Sequence, residues 1–117
     1  MSIQPIERPP ANRWAAISDN MLAVNVLLGS TDLPAPTVIP LPGAVHVSVA
    51  DVDDLGLWLA ERGGEIHISP PFEGVQLWML HTRTPERADG SSVSVLVSAA
   101  SPADQLVRHD ILTAVVR

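Results

Sequence analysis

The side chains able to do chemistry in this chain are few and unevenly placed. Histidines stand at positions 46, 67, 81 and 109, aspartates cluster at Asp51, Asp53 and Asp54, and Glu65 precedes His67 by two residues. Two imidazoles can begin a divalent metal site. His46 and His67 share the strand parity that would put them on one sheet face, but a catalytic zinc usually takes three protein ligands. Glu65 or a loop carboxylate would have to complete the set. His81 is expected on the other parity near a strand end, and His109 lies far along the chain. The ligand set is incomplete, so no metal and no cofactor is expected.

Nucleophilic chemistry has no support. The chain has no cysteine, which removes thiolate nucleophiles, thiolate metal sites and disulfides together. It has no Gly-x-Ser-x-Gly, no phosphate-binding loop and no paired-histidine metalloprotease motif. The three aspartates fall where a helix is expected to begin, and a helix N-terminus favours negative charge; capping is their expected role. Gly63-Gly64 precedes a strand rather than a helix, so it reads as a helix stop and not as a phosphate cradle. Catalytic residues are left unassigned.

Composition narrows the class further. At 117 residues with 46% hydrophobic content the chain is one globular domain. All seven cations are arginine, a usage that points to a GC-rich bacterial genome. The net charge of −6, with arginines scattered singly apart from Arg83 and Arg87, excludes phosphate-backbone binding and hence nucleic acid as a partner. No apolar run approaches the ~20 residues of a membrane helix. The opening Met-Ser-Ile-Gln-Pro has no basic region followed by an apolar one, so a cytoplasmic protein is expected.

The elements that must position the histidines follow from periodicity. Residues 1–10 are proline-rich and read as a flexible arm ahead of a single α+β domain over 11–117. Trp14, Ile17, Met21, Val24 and Leu28 recur at helical spacing, predicting a helix over 12–28 ended by Gly29. A strand over Leu22–Leu28 is the rival reading. Thr37-Val38-Ile39 can form a short edge strand among prolines. Strands are predicted over 44–49, 65–69, 74–82 and 92–99, with helices over 52–62 and 102–109, the last opened by Ser101-Pro102 and Asp104. Residues 110–116 fit a continued helix or an edge strand. Crossover logic makes the strands at 44–49 and 65–69 parallel if one sheet holds both. The fold class is therefore α+β: a mixed, mostly antiparallel sheet of four or five strands with helices packed on it.

Parity sorts these strands into two unlike faces. Val45, Val47, Val49, Ile66, Ile68, Val75, Leu77, Met79, Val93, Val95 and Val97 form a dry layer for the helix of Leu55, Trp58 and Leu59. The second face is expected to hold His46, Ser48, Glu65, His67, Gln76, Trp78, Leu80, Ser94, Leu96 and Ser98. A polar face around one tryptophan suits a ligand- or protein-contacting surface. Plain solvent exposure, or a cover from the N-terminal helix, would account for it equally. The candidate binding residues are Trp78, Gln76, His46, His67 and Leu80, with Trp78 as the anchor.

The runs His46-Val-Ser-Val-Ala-Asp51-Val-Asp-Asp-Leu and Leu59-Ala-Glu-Arg-Gly-Gly-Glu-Ile, closing at Ser69-Pro-Pro, resemble one module of the vicinal-oxygen-chelate superfamily of glyoxalases and dioxygenases. Gly74-Val-Gln-Leu-Trp and Ala88-Asp-Gly-Ser-Ser-Val-Ser-Val-Leu extend the resemblance over residues 44–98. It implies a β-α-β-β-β module that pairs with a second copy, here another chain, so that curved sheets enclose a metal. His46 matches that family's strand histidine, and its glutamate position falls at Ser94, a poor ligand for a divalent ion. Two functions follow as expectations. The first is a non-enzymatic binding or protein-interaction module, forming a homodimer and taking a protein or small-molecule partner. The second is a metal-dependent, glyoxalase-like enzyme assembled as a dimer.

Overall fold

Valine alternating with polar residues builds the centre of a sheet, and the computed structural model, which describes residues 9–116, shows how it is completed. The elements in chain order are α1 (Pro9–Gly29), β1 (Thr37–Pro40), β2 (Val45–Ser48), α2 (Val52–Arg62), β3 (Glu65–Ile68), β4 (Val75–Arg83), β5 (Ser94–Pro102) and α3 (His109–Leu112). One five-stranded sheet runs β1-β2-β5-β4-β3. β2 and β5 are parallel, and the other three pairs are antiparallel. β2 and β3, the strands joined by α2, therefore run in the same direction with β5 and β4 between them. The α+β class and the mostly antiparallel sheet agree with the sequence.

α2 is bounded as its sequence dictates. The extended Asp51 accepts a hydrogen bond from the Asp54 N–H at 3.0 Å, a cap worth about 1 kcal/mol. Gly63, at φ 70°, donates its N–H to the Leu59 carbonyl at 2.7 Å and ends the helix. Gly64 follows at φ 120°, where an added Cβ would lie 2.2 Å from the His81 carbonyl oxygen. That close approach lets β3 begin pairing with β4 immediately after the helix.

All three helices lie on one side of the sheet. Val45, Val47, Ile66, Leu80, Val95 and Val97 point to that side and are fully buried, as are Val24 of α1, Leu55 and Trp58 of α2 and Ile111 of α3. α1 packs against β1 and β2, α2 against β4 and β5, and α3 against α2. The Trp58 indole N–H donates to the Pro34 carbonyl at 2.8 Å, fixing the proline-rich 30–36 segment over the core. Each fully buried aliphatic chain in this layer contributes about 1.5–3 kcal/mol.

Four details depart from expectation. On β4 the parity is reversed: Trp78, Leu80 and Thr82 face the helices and are buried, whereas Val75 and Leu77 are exposed and Met79 partly so. The second side of β4 is thus apolar without being covered. β5 runs on to Pro102, so Ser101-Pro102 ends a strand instead of opening a helix, and α3 starts only at His109. After α3, which ends at Leu112, the chain neither continues as helix nor forms a strand but makes one bridge at the β3 edge. Val115 forms a parallel bridge to Ile66, with Ile66 N–H donating to Ala114 O and Val116 N–H donating to Ile66 O, both at 2.9 Å. On α1 the inward residues are Val24 and Leu27, while Trp14 is 63% exposed. The expected arm over residues 1–10 lies outside the described residues except for Pro9 and Pro10, which open α1.

Candidate functional site on the uncovered sheet face

No described element covers the side of the sheet away from the helices. Strand pairing arranges it in lateral rows. Ile39, His46, Leu96, His81 and Glu65 form one row; Thr37, Ser48, Ser98, Met79 and His67 form the next. Ile39, Val75 and Leu77 are 51%, 46% and 40% exposed, and Leu96 and Met79 are half-buried beside them. Apolar residues and histidines thus alternate across a surface that no described element covers.

Of the expected binding residues, His46 and His67 lie on this face and Trp78, Leu80 and Gln76 do not. Trp78 is only 5% exposed and Leu80 is fully buried, so both serve the core. The physical reason is the β4–β5 register. Trp78 stands opposite Ala99 and Leu80 opposite Val97, which leaves the larger side chains under the helices beside smaller partners. Gln76 shares their side and reaches the Ser69 carbonyl at 3.4 Å. The Trp78 indole N–H is buried with no hydrogen-bond partner among the described residues.

The histidine grouping also differs. His46 on β2 and His67 on β3 have two strands between them and stand one row apart, which at about 4.8 Å per strand puts them at least about 14 Å apart. His81 joins His67 instead. On the antiparallel β3–β4 pair His67 faces Met79 and Glu65 faces His81, so the two imidazoles are diagonal neighbours on one side. Their ring centroids are 4.7 Å apart with planes at 66°. Glu65 Oε1 lies 3.9 Å from His67 Nε2. Among the described residues no group of three His, Cys, Asp or Glu side chains is arranged to hold an ion.

At the far end of the face, Arg83 is held by serines. Its Nε donates to Ser92 Oγ at 2.7 Å, Nη1 to Ser94 Oγ at 3.0 Å and Nη2 to the Ser92 carbonyl at 3.0 Å. Ser94 thus receives a hydrogen bond from a guanidinium, surroundings that disfavour a cation there. Sequence reasoning missed both Arg83 and the His67–His81 pair. The signal available was the run Trp78, Leu80, Thr82, whose bulky apolar members compete with Val75, Leu77 and Met79 for the core side.

Away from this face, a groove of ≈ 360 Å³ lies between α1 and the 84–88 loop, lined by Leu22, Val26, Leu27, Thr84 and Arg87 among others. Arg87 Nη1 donates to Asp19 at 2.9 Å and ties that loop to α1. Shifted acidities lie away from the sheet, in the 84–91 loop and at the start of α3. The Ser91 hydroxyl and backbone N–H hold the Asp89 carboxyl below its ordinary range, Arg108 does the same to Asp110, and Asp110 raises Arg108 in turn. Compared with known proteins, the chain matches no family model, no curated protein and no solved structure.

Proposed function

We propose that this protein is a non-enzymatic binding module whose contact surface is the uncovered sheet face, and that a second copy of the chain occupies that face in a two-fold dimer. One observation carries the reading: three helices crowd one side of the sheet while Ile39, Val75 and Leu77 stand exposed on the other. Exposed apolar residues spread over one uncovered sheet face in this way mark a contact site. Two-fold pairing is the commonest way for a chain to satisfy such a surface with itself. The histidines and serines between the apolar residues leave polar groups for a protein or small-molecule partner at the seam. The reading takes the protein as cytoplasmic; no described helix is long and apolar enough to cross a membrane. Replacing Leu77 by Arg should convert the dimer to a monomer with an unchanged far-ultraviolet spectrum. A wild-type monomer would end this reading.

The alternative is a metal-dependent enzyme of the vicinal-oxygen-chelate kind, again as a dimer. It is supported by the element order β2-α2-β3-β4-β5, the β-α-β-β-β arrangement that the resemblance implies, and by His46 on the uncovered face. It requires a divalent ion held through His46 and ligands from a second copy. Loss of metal binding in His46→Ala would support it, and retention would remove its only ligand on this chain.

A further inference from the structure

We infer that His67 and His81 form a chelating pair for a borderline first-row divalent cation such as Cu²⁺, Ni²⁺ or Zn²⁺. The pair is assembled by strand pairing alone. β3 and β4 are joined by a short connection, and their antiparallel register sets the two residues diagonally on the bare face. Gly64 fixes that register, because only a residue without a Cβ can sit against the His81 carbonyl.

The ring separation is one that chelation can use. A metal–nitrogen bond is about 2.1 Å, and the centre of an imidazole lies about 1.1 Å behind the ligating nitrogen. Two rings on one ion therefore have centroids about 4.5 Å apart at a right angle and about 5.2 Å apart at a tetrahedral angle. The observed 4.7 Å falls between these limits, and the 66° between the ring planes is compatible with either geometry. The same separation suits an edge-to-face contact between the rings, so metal titration decides between the two. Imidazole selects copper, nickel and zinc over magnesium and calcium, which prefer oxygen. The Glu65 carboxylate, 3.9 Å from His67 Nε2, adds negative charge at the edge of the site and can orient the His67 ring. The remaining coordination positions go to water, since no third His, Cys, Asp or Glu side chain among the described residues converges there. Both imidazoles belong to one chain, so binding needs no residue from a second copy, although the pair lies on the face that the proposed dimer uses.

The test is calorimetric titration of the tag-free full chain with Ni²⁺, Cu²⁺ and Zn²⁺ separately, each repeated with Mg²⁺ as the control. About one transition-metal ion per chain and no magnesium heat are expected. His67→Asn and His81→Asn should each weaken binding at least tenfold while the circular dichroism spectrum stays native, because both side chains are exposed. His46→Asn and His109→Asn should leave binding unchanged, and Glu65→Gln should weaken it without abolishing it. Wild-type affinity in either His67 or His81 variant, equal loss in His46→Asn, or no binding by the wild type overturns the inference. Loss confined to His46→Asn would transfer the site to the enzymatic alternative.

Discussion

Trp78 stands directly opposite Ala99 in the β4–β5 pairing, and this relationship decides which side of β4 meets the helices. It removes Trp78 from the surface and exposes Val75 and Leu77 in its place. Trp78→Ala should therefore destabilise the fold by about 3–5 kcal/mol through the cavity it leaves, and urea unfolding will measure this. Trp78→Phe should stay within about 1 kcal/mol of wild type, because the lost area is offset by removing a buried N–H that has no partner. Equal losses in the two variants would contradict the core assignment.

Gly63 and Gly64 are adjacent and both have positive φ, yet they should respond differently to alanine. At Gly63 an added Cβ meets nothing within 4 Å, so Gly63→Ala costs only the strain of a backbone region that favours glycine, about 1–3 kcal/mol. At Gly64 the Cβ would collide with the His81 backbone oxygen at 2.2 Å. Gly64→Ala should cost several times as much and disturb the β3–β4 register. Thermal unfolding of the two variants side by side separates the effects, and amide exchange over Glu65–Ile68 should rise only in the second.

Much of this was legible in local chemistry. Asp51 as cap, Gly63 as stop and the valine alternation of β2 and β5 are determined by neighbouring residues, and each came out as read. β4 did not, because Val75 through Leu80 is apolar at both parities and only pairing with β5 chooses between them. Placing β4 one parity off moved Trp78 and Leu80 onto the wrong face and separated His81 from His67. α1 misled for a related reason. Trp14, Leu22 and Val26 are apolar and exposed, so the helix carries apolar residues on more than its packed side. The start of α3 was obscured because Ser101-Pro102 suits the end of a strand as well as a helix cap.

The acidity shifts give a pH prediction. Asp89 and Asp110 are held below the ordinary carboxylate value of 3.8, Asp89 chiefly by the Ser91 hydroxyl and Asp110 chiefly by Arg108. A lowered folded-state value stabilises the fold above the unfolded value, and this contribution is lost as pH falls through the folded one. Carbon-detected NMR titration should place both carboxyl midpoints below 3.8. Ser91→Ala should move Asp89 upward and leave Asp110 in place. A midpoint for Asp89 that ignores Ser91 would contradict the loop geometry.

The central claim is that a second copy covers the bare sheet face, and light scattering behind a sizing column tests it most directly. The wild type at tens of micromolar should elute at twice the 12.5 kDa chain mass. Leu77→Arg, which places a charge at the seam in both copies, should cost at least about 3 kcal/mol of association and raise the dissociation constant more than about a hundredfold. It should then elute as a monomer, while Leu22→Arg, in the groove beside α1 and away from the bare face, remains a dimer. A wild-type monomer, or a dimer broken by Leu22→Arg and not by Leu77→Arg, would contradict the account.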